Sequence, residues 1–255
     1  EIMKLSVPMM IAWYLHEKRL PPTGKELIII MILVIIPGLL IARQPDLGTS
    51  LLVIAAGLIV VFLSGIPFRY ILSLIILCIP SSLLLWKFMK DYQRQRVLTL
   101  INPDNDPLGA GYNIIQSKIA MGSGGIFGKG WTNGSQVQLE FLPEKNTDFI
   151  FAVVGEEFGL LGVLTILILY LLIIGRGLYI ASNASDLFGR LLAGSISLTF
   201  FVYVFVNTAM VIGLMPIVGI PLPLISYGGT SMVTLMIGFG MLMSINSNRK
   251  LVAKK

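Results

Sequence analysis

Apolar residues in this chain occur in long, nearly uninterrupted runs, and polar residues are concentrated in the connections between them. Seven runs can be delimited, at residues 2–15, 27–42, 47–65, 70–89, 149–174, 188–215 and 222–245. Most approach the ~20 residues that a membrane-spanning helix needs, and none shows the strict alternation of a transmembrane barrel strand. The pattern predicts an all-α polytopic membrane protein, a helical bundle of seven apolar segments.

The composition agrees with a membrane protein and excludes several other classes. The 255 residues are 55% hydrophobic and 13% charged, whereas soluble domains carry about 25% charged residues. Cys78, inside an apolar run, is the single cysteine of the sequence, so no intrachain disulfide can form. The net charge of +6 comes from residues in the connections, so it bears on topology. We therefore expect no nucleic-acid partner.

Positive charges divide the short connections into two sets. One set, together with the C-terminal tail, carries nearly all of them: Lys18, Arg19, Lys25, Arg69, Arg176, Arg190, Arg249, Lys250, Lys254 and Lys255. The other set carries only Arg43. Because basic short loops face the cytoplasm, the C-terminus is predicted to be cytoplasmic. Residues 90–147 then form a large extracytoplasmic loop within a single membrane domain, 1–255.

The first apolar run contains a charged pair. Glu1 and Lys4 are three residues apart, so they share a helical face. A charge at membrane depth costs roughly 2.5–3.5 kcal/mol, which favours pairing. Two interpretations stay open, a pair at the membrane interface and a charged wall of an outward-facing cavity. Because this run is short and no methionine precedes it, we expect that the chain begins inside a transmembrane helix.

The long loop has four recognisable parts. A basic stretch at 87–96 would lie near lipid headgroups or an anionic substrate. Residues 102–107 contain an Asp-x-Asp sequence, as some metal-nucleotide sites do, but the surrounding prolines and asparagines favour a turn. Residues 111–121 have the spacing of a short amphipathic helix on the membrane surface. The glycine run at 122–130 lacks the spacing of a Walker loop.

The loop returns to the membrane through 139–157, where a proline and helix-capping residues indicate a helix start. Asp148 should therefore lie in or beside the first turn of the next helix, at the membrane boundary, where a carboxylate is costly unless it is used. A helix N-terminus would lower its pKa, whereas burial or the nearby Glu144 would raise it. The alternative is that Asp148 only stabilises the helix start.

Three other features have structural interpretations. Asp46 opens an apolar run and is best explained as a helix cap. Glu156 and Glu157 lie deeper in the run after Asp148, and structural polar contacts with other helices are the favoured explanation. The prolines and glycines of 213–231 predict a broken helix or re-entrant backbone, which a membrane tolerates only where protein or a cavity surrounds it.

Several spaced motifs carry a resemblance to a known family. They are Glu-Ile-Met-Lys at 1–4, Phe-Leu-Pro-Glu-Lys-Asn-Thr-Asp-Phe-Ile-Phe at 141–151, Asn207, Gly-Leu-Met-Pro-Ile-Val-Gly-Ile at 213–220 and Ile-Ser-Tyr-Gly-Gly-Thr-Ser at 225–231. With them, the whole chain resembles the SEDS family of bacterial cell-wall proteins, which includes RodA, FtsW and SpoVE. Loop motifs within 102–131 are more similar to the RodA branch. The family has ten membrane helices, and this chain would supply the last seven.

The resemblance implies a peptidoglycan glycosyltransferase that polymerises lipid II at the outer face of the bacterial cytoplasmic membrane, in cell elongation and shape maintenance. It implies as partners a class B penicillin-binding protein and other cell-elongation membrane proteins. Asp148 matches the family's essential aspartate and is the candidate catalytic residue. The candidate substrate-binding residues are Glu1, Lys4, Glu144, Lys145 and Arg94. The cations among them, or a divalent metal ion, would stabilise the leaving pyrophosphate; no cofactor is certain.

Two other functions stay open from the sequence. Charged residues in helices and broken backbone near 216–223 would suit a transporter that flips a polyprenyl-linked precursor. A transporter usually has paired broken helices in two repeats, however, and the sequence indicates only one. A non-catalytic scaffold for cell-wall enzymes is the third possibility.

Overall fold

The computed structural model describes residues 1–44, 46–67, 69–70, 72, 76, 89, 91–106, 109–139, 141–142 and 144–248. The predicted span at 70–89 lies almost wholly outside these residues, and the basic tail at 249–255 lies outside them entirely. The helices are α1 (Met3–His16), α2 (Gly24–Ala42), α3 (Leu47–Leu63), α4 (Asp91–Ile101), α5 (Ala110–Ser123), α6 (Ser135–Gln138), α7 (Ile150–Ser182), α8 (Leu187–Val211) and α9 (Gly229–Ser247). A 3₁₀ turn, Pro103–Asn105, precedes α5.

The predicted all-α membrane fold is confirmed, since the described residues contain no strand. Within the described part of the chain, four helices, α2, α7, α8 and α9, are long and apolar enough to cross a membrane, and α3 is a shorter apolar helix. The segment predicted at 222–245 is helical only from Gly229. Its first residues cannot join the helix because Pro221 and Pro223 lack amide hydrogens and Leu224 has a φ of 65°.

Three aspartates accept hydrogen bonds from backbone amides at the starts of helices. The Asp46 carboxylate accepts a hydrogen bond from the Thr49 amide at 3.0 Å, which confirms the helix-cap interpretation. Asp106 accepts from the Ala110 amide at 2.9 Å, so the Asp-x-Asp sequence belongs to a turn that starts α5, as predicted. Asp186 accepts from the Gly189 amide at 3.0 Å at the start of α8.

The chain divides into two compact units. The first comprises the described residues within Glu1–Pro67, Tyr170–Tyr203 and Gly229–Lys255. Its core is aliphatic and is supplied by α1, α2, α3, α8, α9 and the end of α7. Buried hydroxyl groups donate to backbone carbonyls of neighbouring helices, as Ser50 does to Gly38 at 2.7 Å and Ser195 to Ala56 at 3.1 Å. These bonds satisfy polar groups inside an apolar core.

The second unit, within Phe68–Leu169 and Val204–Gly228, contains a break in α7 that the sequence reasoning missed. The helix is interrupted at Gly159, whose φ of 64° and ψ of −159° are not helical. A break leaves backbone amides and carbonyls without helical partners. Here the glycine loop, residues 122–130, supplies them. The amides of Lys129 and Gly130 donate to the carbonyls of Glu156 and Glu157, at 3.0 and 2.9 Å.

Amides of α7 also donate hydrogen bonds to carbonyls of the glycine loop. The Leu160 amide donates to the Gly125 carbonyl at 2.9 Å, and the Leu161 amide to that of Ile126 at 3.2 Å. Backbones approach this closely only where side chains are absent. A Cβ atom on Gly124 would lie 1.9 Å from the Gly155 carbonyl oxygen, and one on Gly128 would lie 2.1 Å from that of Glu157. The glycine run is therefore a packing element that completes the broken helix.

Side-chain contacts reinforce this junction. The Glu156 side chain is fully buried, and its Oε1 atom receives the Lys129 ammonium at 2.7 Å. The same oxygen accepts from the Gln136 amide and the Ser135 hydroxyl, both at 3.1 Å, at the start of α6. Glu156 therefore has a structural role, as expected, but its partners lie in the long loop rather than on other membrane helices.

Two glycines of this region provide a matched test of the close packing. Gly124→Ala is expected to lower the free energy of unfolding by about 1–3 kcal/mol, because the new Cβ meets backbone atoms that cannot rotate away. Gly122→Ala is the control, since nothing lies within 4 Å of its Cβ position and alanine favours the helix that contains it. Thermal denaturation in detergent checks this, and equal melting temperatures for the two variants would contradict the packing described.

Candidate functional site

A tight turn before α7 brings two carboxylates together. The Glu144 carbonyl accepts hydrogen bonds from the Thr147 amide at 3.0 Å and the Phe149 amide at 3.3 Å. Glu144 itself has a φ of 54°, in the left-handed region. The turn places its side chain in hydrogen-bond contact with Asp148, two residues before the helix starts. Phe149 and Phe151, which follow directly, are buried and anchor the segment.

The environment of Asp148 decides between the two opposing effects on its pKa. Burial, and then the charge and hydrogen bond of Glu144, raise the pKa of Asp148 to about 6, although the Arg96 guanidinium acts in the opposite direction. Asp46, Asp106 and Asp186 each accept a backbone amide at a helix start. Asp148 instead has another acid, Glu144, as its neighbour, and a hydrogen bond between the two carboxyl groups forms only when one of them holds a proton. The pairing therefore favours the protonated form of Asp148 and raises its pKa.

Residues of α8 and of the last loop, 213–231, bind the backbone carbonyls of this turn. Asn207, on α8, donates from its side-chain amide to the carbonyl of Asp148 at 3.0 Å and to that of Ile220 at 2.7 Å. The Ser226 hydroxyl donates to the Thr147 carbonyl, and the Tyr227 amide donates to the Asn146 carbonyl at 2.9 Å. The motifs at 207, 213–220 and 225–231 thus meet the motif at 141–151 at one place in the fold.

The predicted cations of this unit have different positions. The Lys145 ammonium donates to the Val137 carbonyl at 3.0 Å. Arg94 is half-buried on α4. Its neighbour two residues on, Arg96, is the cation whose charge acts on Asp148. Residues two apart point to different sides of a helix, so the sequence could indicate the basic stretch but not which arginine faces the acid.

Glu1 and Lys4 lie in the first unit. Their side chains form an ion pair at 2.6 Å, and Lys4, only 4% exposed, also lies over the Tyr203 ring at 5.0 Å from its centre. Lys4 lines a small cavity of about 30 Å³ together with Ser195, Thr199 and other residues of this unit. Glu1 borders an open groove of about 580 Å³ with Thr230 and Thr234. Lys4 is buried and Glu1 is half-buried, which supports the cavity interpretation over a solvated interfacial pair.

Among the described residues, no group of three or more His, Cys, Asp or Glu side chains is assembled. The Asp148–Glu144 pair nevertheless supplies two carboxylates, and Mg²⁺ is commonly held by one or two carboxylates together with phosphate oxygens of a substrate. A divalent cation bound with the substrate therefore stays a candidate for stabilising the leaving group.

Comparison with known proteins places this geometry in a family. Residues 1–251 match the cell cycle protein family model of FtsW, RodA and SpoVE. The peptidoglycan glycosyltransferase MrdB of Escherichia coli K12 is 55% identical over all 255 residues, which span 69% of its length. A solved structure concerned with coordination of polymerization and crosslinking by a peptidoglycan synthase complex matches 97% of this chain and 69% of its own, with 34% identity and a TM-score of 0.80. The rod shape-determining protein RodA of Thermus thermophilus matches 97% of this chain and 64% of its own, with 26% identity and a TM-score of 0.66.

The chain belongs to the FtsW/RodA/SpoVE family of membrane proteins, and its activity is that of a peptidoglycan glycosyltransferase. The predicted family, helical membrane fold and enzyme class are confirmed. The roles of Asp148, Glu144, Lys145, Arg94, Glu1 and Lys4 stay predictions, as does the description of 1–255 as one membrane domain.

Proposed function

We propose that the chain polymerises lipid II into glycan strands and that Asp148 is the general base. The observation that carries this proposal is the environment of Asp148, a carboxylate before a helix start that hydrogen-bonds to Glu144 and whose pKa is raised to about 6. A base with a pKa near the working pH is ionised in use and still accepts a proton effectively. A cap, by contrast, needs only an unperturbed carboxylate and a backbone amide.

The reaction joins the hydroxyl group of one sugar to the anomeric carbon of another. The hydroxyl oxygen forms the new C–O bond, its proton passes to the Asp148 carboxylate, and the bond between the anomeric carbon and the pyrophosphate oxygen breaks. The electron pair of that bond leaves with the lipid pyrophosphate. A positioned base typically contributes about 10²–10⁴-fold to such a step.

The leaving pyrophosphate needs positive charge. Within the unit that holds Asp148, we assign this role to Arg96, whose charge already acts on the acid. Arg94 lies on a different side of the same helix and stays a candidate for binding substrate elsewhere. Glu144 supports the base by raising its pKa. Glu1 is proposed to contact substrate from the groove of the first unit, and Lys4 to act on substrate through its ion pair with Glu1. Lys145 is proposed to support the loop through its bond to Val137.

The membrane orientation and the partners of the protein are proposed from the family and the charge pattern. We propose that the loop with Asp148 lies outside the cytoplasmic membrane and that the C-terminus lies in the cytoplasm. The structurally similar complex couples polymerization with crosslinking. We propose that the protein containing this chain likewise acts in cell elongation with a class B penicillin-binding protein. Polymer formation from lipid II by the Asp148→Asn variant of the complete protein tests the catalytic proposal.

The raised pKa predicts how the rate depends on pH. Activity requires the carboxylate form, so the rate should fall as the pH drops through about 6, where Asp148 gains a proton. Glu144→Gln removes a like charge, which lowers the pKa of Asp148 and moves this acid limb to lower pH. Arg96→Gln removes a stabilising charge and moves the limb to higher pH. The measurement is polymerisation rate against pH, with exposed Glu17→Gln as the control; limbs that coincide in all variants would contradict the assignment.

A further inference from the structure

We propose that Asn207 and Ser226 are positioning residues that hold the two peptide groups flanking Asp148, and thereby aim the Asp148 carboxylate. This inference rests on the proposed function of Asp148. Neither residue is assigned a role in proton transfer, and each acts on the base only through the main chain.

The carbonyls of Thr147 and Asp148 lie outside the helix that follows. In α7 the amides of Ala152 and Val153 both donate to Phe149, at 2.9 and 3.4 Å, so the helix does not use the carbonyl of Asp148. A carbonyl that lacks a helical partner leaves its peptide free to rotate unless another group binds it. Asn207 and Ser226 are those groups, one for each carbonyl.

Asn207 is well suited to this task. Its side chain is fully buried, and both hydrogens of its amide nitrogen are used, on the carbonyls of Asp148 and Ile220. Because both partners are acceptors, only the nitrogen can face them, which determines the orientation of the amide group. The Asn207 side chain therefore links the backbone of Asp148 to the backbone of Ile220 in the last loop.

Ser226 holds the preceding peptide from the same loop. Its hydroxyl donates to the Thr147 carbonyl and accepts the Leu222 amide at 2.8 Å. Beside it, Gly219 has a φ of 74°, and a Cβ atom there would lie 3.5 Å from Oδ2 of Asp148. The last loop thus binds the Thr147 carbonyl and passes close to the acid itself.

The expected effect is a loss of rate rather than of substrate affinity. A misplacement of about 1 Å can cost about 100-fold in a catalytic step. Asn207→Ala in the complete protein should lower kcat for lipid II polymerisation on the order of 100-fold and change KM by less than about 3-fold. Release of Asp148 from Glu144 should also move the acid limb of the rate below pH 6.

Ser226 provides a matched pair. Ser226→Ala removes the hydroxyl and should lower kcat on the order of 10-fold, whereas Ser226→Thr keeps the hydroxyl and should retain most activity. The control is Ser117→Ala, because Ser117 is a buried serine of the same unit whose hydroxyl donates to the carbonyls of Val211 and Ile114. Ser117→Ala should keep the kcat and the pH profile of the wild type.

The outcomes separate this inference from the proposal beneath it. If Asp148→Asn is inactive while Asn207→Ala and Ser226→Ala have wild-type kcat, positioning by these residues is refuted and the base assignment stands. If Asn207→Ala and Ser226→Ala lose no more rate than Ser117→Ala does, and the acid limb of the rate stays at the same pH, Asn207 and Ser226 have only a structural role. If Asn207→Ala does not fold, the Ser226→Ala and Ser226→Thr pair decides. Activity of Asp148→Asn would overturn the proposed function itself.

Discussion

Asp148→Asn in the complete protein, assayed with its transpeptidase partner, is expected to reduce polymerisation of lipid II by about 10²–10⁴-fold. Asparagine keeps the size and much of the polarity of the side chain but cannot accept the hydroxyl proton. It also carries no negative charge, so the interactions of that charge with Glu144 and Arg96 are lost. Removing one of two neighbouring acids relieves their repulsion, so the variant should fold at least as well as the wild type. Gel analysis of glycan strands measures the result.

Asp186→Asn is the matched control for this substitution. Asp186 also stands at a helix start, where it accepts the Gly189 amide at 3.0 Å, and asparagine is an equally good cap. Glycan-strand formation by the Asp186→Asn variant, and its melting temperature, should therefore equal those of the wild type. Undiminished polymer from Asp148→Asn would reduce Asp148 to a structural residue. Lipid II movement across vesicles by the same inactive variant would favour the transport hypothesis instead.

Lys129→Met is expected to destabilise the protein by about 3 kcal/mol, because it leaves the buried Glu156 carboxylate without its counter-charge. Removal of one partner of a buried pair typically costs about 3–5 kcal/mol. The lower end applies here because the Gln136 amide and Ser135 hydroxyl still contact Glu156, and because the Lys129 side chain is 30% exposed. The melting temperature should fall by on the order of 6–10 °C.

A double-mutant cycle isolates the pair. Glu156→Gln removes the buried charge, so adding Lys129→Met to it should cost less than Lys129→Met costs in the wild type, with a coupling of at least about 1 kcal/mol. Lys25→Met, at an exposed position, controls for the loss of any lysine. Strict additivity of the two substitutions would show that Lys129 and Glu156 do not stabilise the junction of the glycine loop with α7.

The sequence was sufficient where the physical signal is local. Apolar runs of nearly bilayer thickness predicted the helices, and Asp46 and Asp106 lie at helix starts where capping residues are expected. The spaced motifs at 141–151, 207 and 213–231 identified the family and, with it, Asp148. Each of these signals is contained in a few neighbouring residues or in their spacing along the chain.

The sequence could not predict contacts that form between distant residues. Lys129 meets Glu156 across 27 positions, and Asn207 meets Asp148 across 59. The break at Gly159 was missed because a glycine inside a long apolar run also occurs in unbroken helices. Its cause lies in the glycine loop that binds the exposed backbone.

By itself, then, the sequence determined the membrane-embedded helical fold, the family and the candidate acid Asp148, because hydrophobicity and motif spacing are properties of the chain alone. Only the tertiary structure decided that burial and Glu144 outweigh Arg96 and raise the pKa of Asp148. It also decided which side chains hold the backbone of Asp148. Both depend on desolvation and on distances between groups, which exist only once the chain has folded.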